Sequence, residues 1–360
     1  MQAVDLFSGC GGFSLGARAA GINTVLAIDN NPILSSSFTT NFRSTKMMPG
    51  DLSIIDKTAI QTAIGKSAID IVYGGPPCQA FSSIGRRGQD DPRRKLLYHF
   101  YRIVSELRPA MFVMENVRGL GYVNAQDDLA AALELIEGKY KILGPIFLDA
   151  SNYGAATKRG RLFVIGIDPN RCDSVELSEI EAQQRTAATV KAAIGDLSSA
   201  EEVDSKDGFD LWRITAPGRP SSYARALRSK DRLFTGHRRT AHTPEVVRRF
   251  SEIKPGEVDS VGRHPRLEWS GLCPTLRAGT GNDRGSYQSV RPIHPDEDRV
   301  ITVREAARLQ GFPDWFRFHP TIWHSFRMIG NSVSPIMAAA IFRVLVEKME
   351  SKDQVRAAAE

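Results

Sequence analysis

Short apolar runs alternate with amphipathic stretches through the first half of the chain, and the alternation predicts strands and helices in turn. Val4 to Phe7 reads as the first strand, Gly12 to Ala20 as the helix after it, Val25 to Ile28 as the second strand and Ile69 to Tyr73 as a later one. Met111 to Met114, Tyr140 to Leu148 and Arg161 to Ile167 continue the series. This pattern predicts a doubly wound, Rossmann-like α/β domain whose parallel sheet is covered on both faces. Beyond Asp168-Pro169-Asn170 the periodicity fades, and Ser, Asp, Glu and Gln dominate to about Lys206, apart from a helical patch near Val190 to Leu197. A hinge into a second, smaller domain is expected there, irregular and β-rich, because Gly, Pro and Arg replace regular spacing. Helical spacing returns at Val333 to Lys348, with Ile336, Met337, Ala340, Ile341, Val344 and Leu345 as the apolar set. The expected domains are therefore 1–185 with 320–360, and 186–319.

A chain of 360 residues exceeds what one core usually organises, which agrees with two domains. Hydrophobic residues make up 42% and charged residues 24%, an ordinary balance for a globular protein. No apolar run reads as long enough to span a bilayer, and the first strand begins at once, so a cytoplasmic protein without membrane association is expected. Cys10, Cys78, Cys172 and Cys273 are scattered and lack histidines at ligand spacing, so neither a metal site nor a disulfide framework is indicated. The net charge of +6 is unevenly spread: Arg213 to Arg291 holds sixteen Lys and Arg against seven Asp and Glu. Trp212, Tyr223, Phe234, His237, Trp269 and Tyr287 are interleaved with them, a composition suited to a polyanion-binding face.

Several strand ends carry candidate chemistry. Gly74-Gly75-Pro76-Pro77-Cys78-Gln79 stops an apolar run and fixes the backbone beside a thiol, which is either a nucleophile or a buried cysteine after a strand. Ser8-Gly9-Cys10-Gly11-Gly12 joins the first strand to the first helix, and its glycines allow close approach of a ligand. Such a loop could hold a dinucleotide, and Asp29 at the end of the second strand would suit the ribose of several cofactors, so neither decides between them. Glu115-Asn116 directly follows another apolar strand, at the edge of the sheet where sites usually sit.

In order and spacing, these segments resemble the DNA cytosine-5 methyltransferase family of the short bacterial type. The resemblance runs from Asp5 through Pro335 and takes in Asp29, Asp51, Arg159-Gly160-Arg161, Thr302 to Pro313 and Gly330-Asn331-Ser332-Val333. Only about Val190 to Cys273 lacks a counterpart, and in the family that part differs with the target sequence. The resemblance implies a domain binding S-adenosylmethionine and a smaller target-recognition domain. It implies that Phe7, Gly9, Gly11 and Gly12 hold the methionine part, Asp29 the ribose and Asp51 the adenine amino group, while Asn30, Leu52, Pro76, Leu96, Asn331 and Ser332 belong to the same cofactor site. It also implies that Cys78 attacks carbon 6 of cytosine, that Glu115 serves ring nitrogen 3 with Asn116 fixing the carboxyl or the base edge, and that Arg161 contacts the cytosine carbonyl and orients Glu115, with Arg159 nearby as support. No metal is implied.

The substrate implied is a cytosine flipped out of double-stranded DNA, with Gln79 to Lys95 as the loop that closes over it. The protein is expected to act as a monomer, alone or beside a separate cognate restriction endonuclease. One departure stands out: Ala156-Thr157 replaces the Pro-Gln that usually precedes the two arginines. Alternatives are a tRNA cytosine-5 methyltransferase, a DNA-binding regulator with a dead site, and a nicotinamide oxidoreductase.

Overall fold

The computed structural model describes residues 1–65, 67–77, 94–121, 123–205, 207–216, 218–278 and 290–359. The chain packs into two units: Met1–Asp149 with Gly160–Gln184 and Met337–Glu360, and Ala150–Arg159 with Arg185–Ile336. Residues 320–336, which the sequence reading groups with the first domain, fall in the second of these units, as does the excursion Ala150–Arg159.

The first unit runs β1 (Gln2–Leu6), α1 (Gly12–Ala19), β2 (Asn23–Asp29), α2 (Ser36–Asn41), β3 (Lys46–Pro49), α3 (Lys57–Ile64), β4 (Ile71–Gly74), α4 (Arg94–Leu107), β5 (Met111–Asn116), α5 (Val123–Leu133), β6 (Lys141–Asp149), β7 (Gly160–Ile167) and α6 (Leu177–Glu181). They form a seven-stranded sheet ordered β3-β2-β1-β4-β5-β7-β6. Its first five strands are parallel neighbours. β7 runs antiparallel to both β5 and β6, a departure from the expected all-parallel sheet. The cause is the connection: β6 returns as β7 through Ala150–Arg159, without the crossover helix that a parallel return needs. β3 escapes the sequence pattern because it is a short edge strand bounded by Lys46 and Pro49, residues that suit an edge but weaken a hydrophobic signal.

Alternation along the strands separates two buried layers. On one face Val4, Leu6, Val72, Phe112 and Met114 pack with Ile60 of α3, Leu97, Phe100, Tyr101 and Val104 of α4, and Leu129 of α5. On the other, Tyr73 meets Phe13 of α1 and Phe342 of the C-terminal helix, each with ring centroids 5.0 Å away. That second layer holds a buried polar chain. Ser14 donates to Asp5 at 2.6 Å and lies 2.9 Å from the Tyr73 hydroxyl, which meets the Thr24 hydroxyl at 2.6 Å. Burial pushes the Asp5 carboxyl well above its ordinary range despite the Ser14 hydrogen bond.

The second unit contains α7 (Val190–Ile194), β8 (Ala200–Val203), β9 (Leu211–Ile214), α8 (Ser222–Leu227), β10 (Leu233–Phe234), α9 (Pro244–Ser251), α10 (Val303–Gln310) and α11 (Ile322–Asn331), and α12 (Pro335–Ala359) begins in it. Its β content among the described residues is one three-stranded antiparallel sheet, β10-β9-β8, with a few isolated bridges, less than the sequence led one to expect. Every residue of α10 is buried, including Arg304, Glu305, Arg308 and Gln310. Thr302 and Glu305 cap its start reciprocally, and Gly311 at φ 94° ends it. Arg308 pairs with Asp314 at 2.6 Å and Asp196 at 3.1 Å. Arg304 donates to the carbonyls of Thr235, Pro313 and Phe316. Burial alone would raise the Glu305 carboxyl, but Arg299 at 2.9 Å outweighs it and holds the group at about 2. Burial also pushes His237 down to about 4.

Ile322–Lys352 is long and apolar enough, by length and composition, to cross a membrane, contrary to the sequence reading. Since 78% of its apolar window is buried inside the protein, that apolarity serves the interior.

Candidate active site

Strand order in the first unit reverses between β1 and β4, and in open α/β sheets ligands bind beyond the carboxyl ends of the strands at such a point. The loop after β1 has Phe7 at φ 59°, Gly9 at 52° and Gly11 at 93°, left-handed conformations that glycine tolerates and phenylalanine rarely adopts. The two glycines differ in surroundings. A β-carbon on Gly11 would lie 2.4 Å from the Phe42 ring, whereas one on Gly9 would meet nothing within 4 Å. Gly11 is thus needed for packing, and Gly9 faces open space.

Asp29, at the end of β2, clamps this loop. Its carboxylate accepts from the Gly9 amide at 2.8 Å and the Asn31 amide at 2.7 Å. Burial raises its pKa against the lowering effect of those two bonds. One strand further out, the Gly50 amide donates to the Asp29 carbonyl, which brings the turn at Asp51 to the same edge of the sheet. Asp51 is exposed and accepts from the Ser53 amide at 2.8 Å, a bond that lowers its pKa. Arg102 of α4 fixes the turn by donating to the Leu52 and Ile55 carbonyls, both at 2.7 Å. Leu52 itself is 2% exposed and belongs to the core, Asn30 is exposed, and Leu96 is half-buried on α4.

The acidic and basic partners meet at the ends of β5 and β7. Because β7 is antiparallel, its first residues stand beside the carboxyl end of β5, with Asn116 opposite Leu162. That register brings Arg161 Nε to 2.8 Å from Glu115 Oε1, both side chains about one-tenth exposed. The pair sits against the turn after β4: a β-carbon on Gly75 would lie 2.7 Å from Glu115 Oε2. Asn116 ties the same turn, donating from Nδ2 to the Pro76 carbonyl at 3.2 Å while its Oδ1 accepts from the Val117 amide at 2.9 Å. Sequence reasoning missed Gly75, although a glycine between a strand and a proline pair is a signal of close approach.

Cys78 and residues 79–93 lie outside the described residues. Arg159, Asn331 and Ser332 belong to the second unit. Arg159 is fully buried and donates to the Leu276 carbonyl at 3.1 Å and the Gly330 carbonyl at 2.7 Å, which makes it a strut of that unit. Asn331 is exposed at the end of α11, and Ser332 is 9% exposed, its carbonyl accepting from Gln310 at 2.9 Å. The unusual Ala156-Thr157 is stitched to the chain at Cys273: the Ala156 carbonyl accepts the Cys273 amide, and the Thr157 hydroxyl donates to the carbonyls of Cys273 and Pro274.

Residues 1–347 match the model of the C-5 cytosine-specific DNA methylase family. The chain belongs to that family. It is a DNA (cytosine-5-)-methyltransferase. Among its relatives, Type II methyltransferase M.XorII of Xanthomonas oryzae pv. oryzae is 41% identical over 98% of this chain and 86% of its own length. Type II methyltransferase M.DdeI of Desulfomicrobium norvegicum is 30% identical over 95% and 87% respectively. A solved structure of a DNA modification methyltransferase encoded within an Escherichia coli prophage superposes with TM-score 0.84 at 36% identity, covering 97% of this chain and 99% of that one. The S. pombe Dnmt2 methyltransferase shares the fold, with TM-score 0.64 at 18% identity over 96% and 98%. A cytosine-5 methyltransferase must serve both a methyl donor and a pyrimidine, and the first unit has two loops at one switch point, one clamped by Asp29 and one flanked by the Glu115–Arg161 pair.

Proposed function

We propose that the protein transfers a methyl group from S-adenosylmethionine to carbon 5 of a cytosine extruded from double-stranded DNA, through a covalent adduct of Cys78. The observation that carries the reading is the buried Glu115–Arg161 pair at 2.8 Å, beside the turn that runs into Cys78. Carbon 5 of cytosine is a weak nucleophile. Addition of the Cys78 thiolate to carbon 6 breaks the carbon 5–carbon 6 double bond and makes carbon 5 electron-rich enough to accept a methyl group. Glu115 holds a proton or strong hydrogen bond at ring nitrogen 3 as charge builds there, and Arg161 orients Glu115 and takes the cytosine carbonyl. A water molecule takes the carbon 5 proton, the electron pair left behind re-forms the double bond, and the Cys78 thiolate is expelled. Extrusion of the base from the duplex costs a few kcal/mol, roughly.

The residues of the first loop fit the donor. Gly9 leaves space where any side chain would intrude, and the Asp29 carboxylate stands at the sheet edge with Asp51 on the neighbouring turn. S-adenosylmethionine supplies an electrophilic methyl on a sulfonium, and the chain's part is to bind it at this loop. The basic excess between Arg213 and Arg291 supports the second unit as the target-recognition part. Similarity to Type II methyltransferases supports a role in restriction-modification.

The test is bisulfite sequencing of duplex DNA incubated with the protein and the donor, with tRNA in parallel. Methylation of cytosine in DNA, lost in Cys78→Ala while DNA binding remains, is the expected result. A fully active Cys78→Ala variant overturns the mechanism.

A further inference from the structure

In the second unit the chain from Asp259 to His264 makes a tight loop whose conformation is fixed from inside. Asp259 is fully buried, and its carboxylate accepts from the amides of Val261 at 3.2 Å and Gly262 at 2.8 Å. Arg249 of α9 pairs with the same carboxylate at 3.0 Å. The Asp259 amide donates to the His264 carbonyl and the Arg263 amide to the Asp259 carbonyl, both at 2.9 Å. His264 Nδ1 lies 2.7 Å from the Arg291 carbonyl, and its ring packs edge-on against Phe250. A β-carbon on Gly262 would meet the His264 ring at 2.5 Å and the Asp259 carboxylate at 2.8 Å, so any larger residue would have to displace groups that the loop holds in place.

This frame presents apolar and basic side chains outward together. Val261 is 61% exposed and Val258 53%, although nothing in the fold requires apolar groups in water. Arg263 is exposed and held at φ 60°, a conformation that costs a non-glycine residue of this kind about a kcal/mol and that persists only where the surroundings impose it. Exposed Arg248 and Lys254 stand nearby in the sequence, within the segment of basic excess. A surface that met only phosphates would gain from the cations and nothing from the valines. In the major groove, by contrast, the thymine methyl offers an apolar contact and guanine offers a bidentate acceptor pair to arginine.

We propose that the Asp259–His264 loop reads bases, with Val261 against a thymine methyl and Arg263 on guanine O6 and N7 in the major groove. The proposal rests on the reading of the second unit as the target-recognition part. The rigid anchoring through Asp259 suits this role, because discrimination requires contact groups held in place before binding.

The test uses the full chain on a random-sequence duplex library, with methylated cytosines located by bisulfite sequencing. Arg263→Ala is expected to accept other bases in place of one guanine of the wild-type target, discrimination there falling roughly tenfold to a hundredfold. Arg263→Gly removes the same side chain and relieves the left-handed backbone, so it reports the contact free of folding strain and should relax the same position. Val261→Ala should relax a neighbouring thymine position. An unchanged target in all three variants overturns the proposal. So does uniform loss of rate over all sequences with a salt dependence shallower by about one ion, the signature of a phosphate contact. Absence of methylation anywhere by the wild-type protein would instead remove the functional reading itself, and the proposal with it.

Discussion

Gly75→Ala separates catalysis from folding at one atom. The added β-carbon would stand 2.7 Å from Glu115 Oε2, while ordinary contact begins near 3.4 Å, so one of the two must retreat by about 0.7 Å. Gly75 does not have a left-handed backbone, and what it meets is the end of a flexible side chain. The carboxylate is therefore the part that yields. Stability should change by less than about 1 kcal/mol, the usual scale of a tolerated glycine-to-alanine change. The Glu115–Arg161 geometry cannot survive such a shift intact, and displacement of a reacting group by close to an ångström costs on the order of a hundredfold in rate, or about 2.7 kcal/mol. The assay is single-turnover methyl transfer to duplex DNA, with calorimetric binding of S-adenosylhomocysteine and a thermal melt as controls. A rate within about threefold of wild type, with an unchanged melt, would refute the argument that this gap positions Glu115.

Three further outcomes are expected. Gly9→Ala meets no atom, so its stability cost should be the left-handed strain of about 1–2 kcal/mol, while S-adenosylhomocysteine affinity should drop more than tenfold; unchanged affinity in calorimetry would remove the loop from the cofactor site. Arg161→Lys keeps the charge but not the guanidinium fork that meets Glu115, so adduct formation on DNA carrying 5-fluorocytosine should slow at least tenfold in a gel-shift time course. His237 titrates at about 4 when folded against 6.5 ordinarily, so between those values the unfolded chain binds the extra proton and stability falls as pH falls, by up to about 3 kcal/mol. Glu305, held at about 2, adds to the loss only below its ordinary 4.5, and His237→Asn should flatten melting curves between pH 6.5 and 4 while leaving the lower step.

The first unit was largely legible because its signals are local. Apolar runs located six of the seven strands to within a few residues, and the glycine loop, Asp29, Glu115 and Arg161 all fall at strand ends where the pattern changes. What stayed hidden depends on pairing. No periodicity in Gly160–Ile167 reveals that the strand runs backwards, yet that direction is what carries Arg161 to Glu115. The sequence reading gives Arg161 the orienting of Glu115 and Arg159 a supporting place nearby, but only the fold reveals Arg159 as a strut between the carbonyls of Leu276 and Gly330. Thr302 to Gln310 is buried although it carries charged side chains: Glu305 pairs with the nearby Arg299, Arg304 reaches the carbonyls of Thr235, Pro313 and Phe316, and Arg308 reaches Asp314 and the distant Ala193 and Asp196.

That buried helix explains how a unit with little regular structure can hold fixed loops. Beside the unit's apolar groups, which include the cluster of Phe250, Ile293 and Val300, buried cations tie its irregular segments together. Arg304 gathers three carbonyls from around Thr235, Pro313 and Phe316, and Arg266 gathers those of Phe250, His294 and Pro295. Buried charges of this kind add little stability over well-packed apolar groups, but removing one partner leaves the others unsatisfied at a cost of about 3–5 kcal/mol. Their effect is to make alternative loop arrangements expensive. Val261 and Arg263 join this frame through their backbone amides while their side chains are exposed, so under the proposed base-reading role a different target sequence could be specified by those side chains while the frame beneath stays as it is.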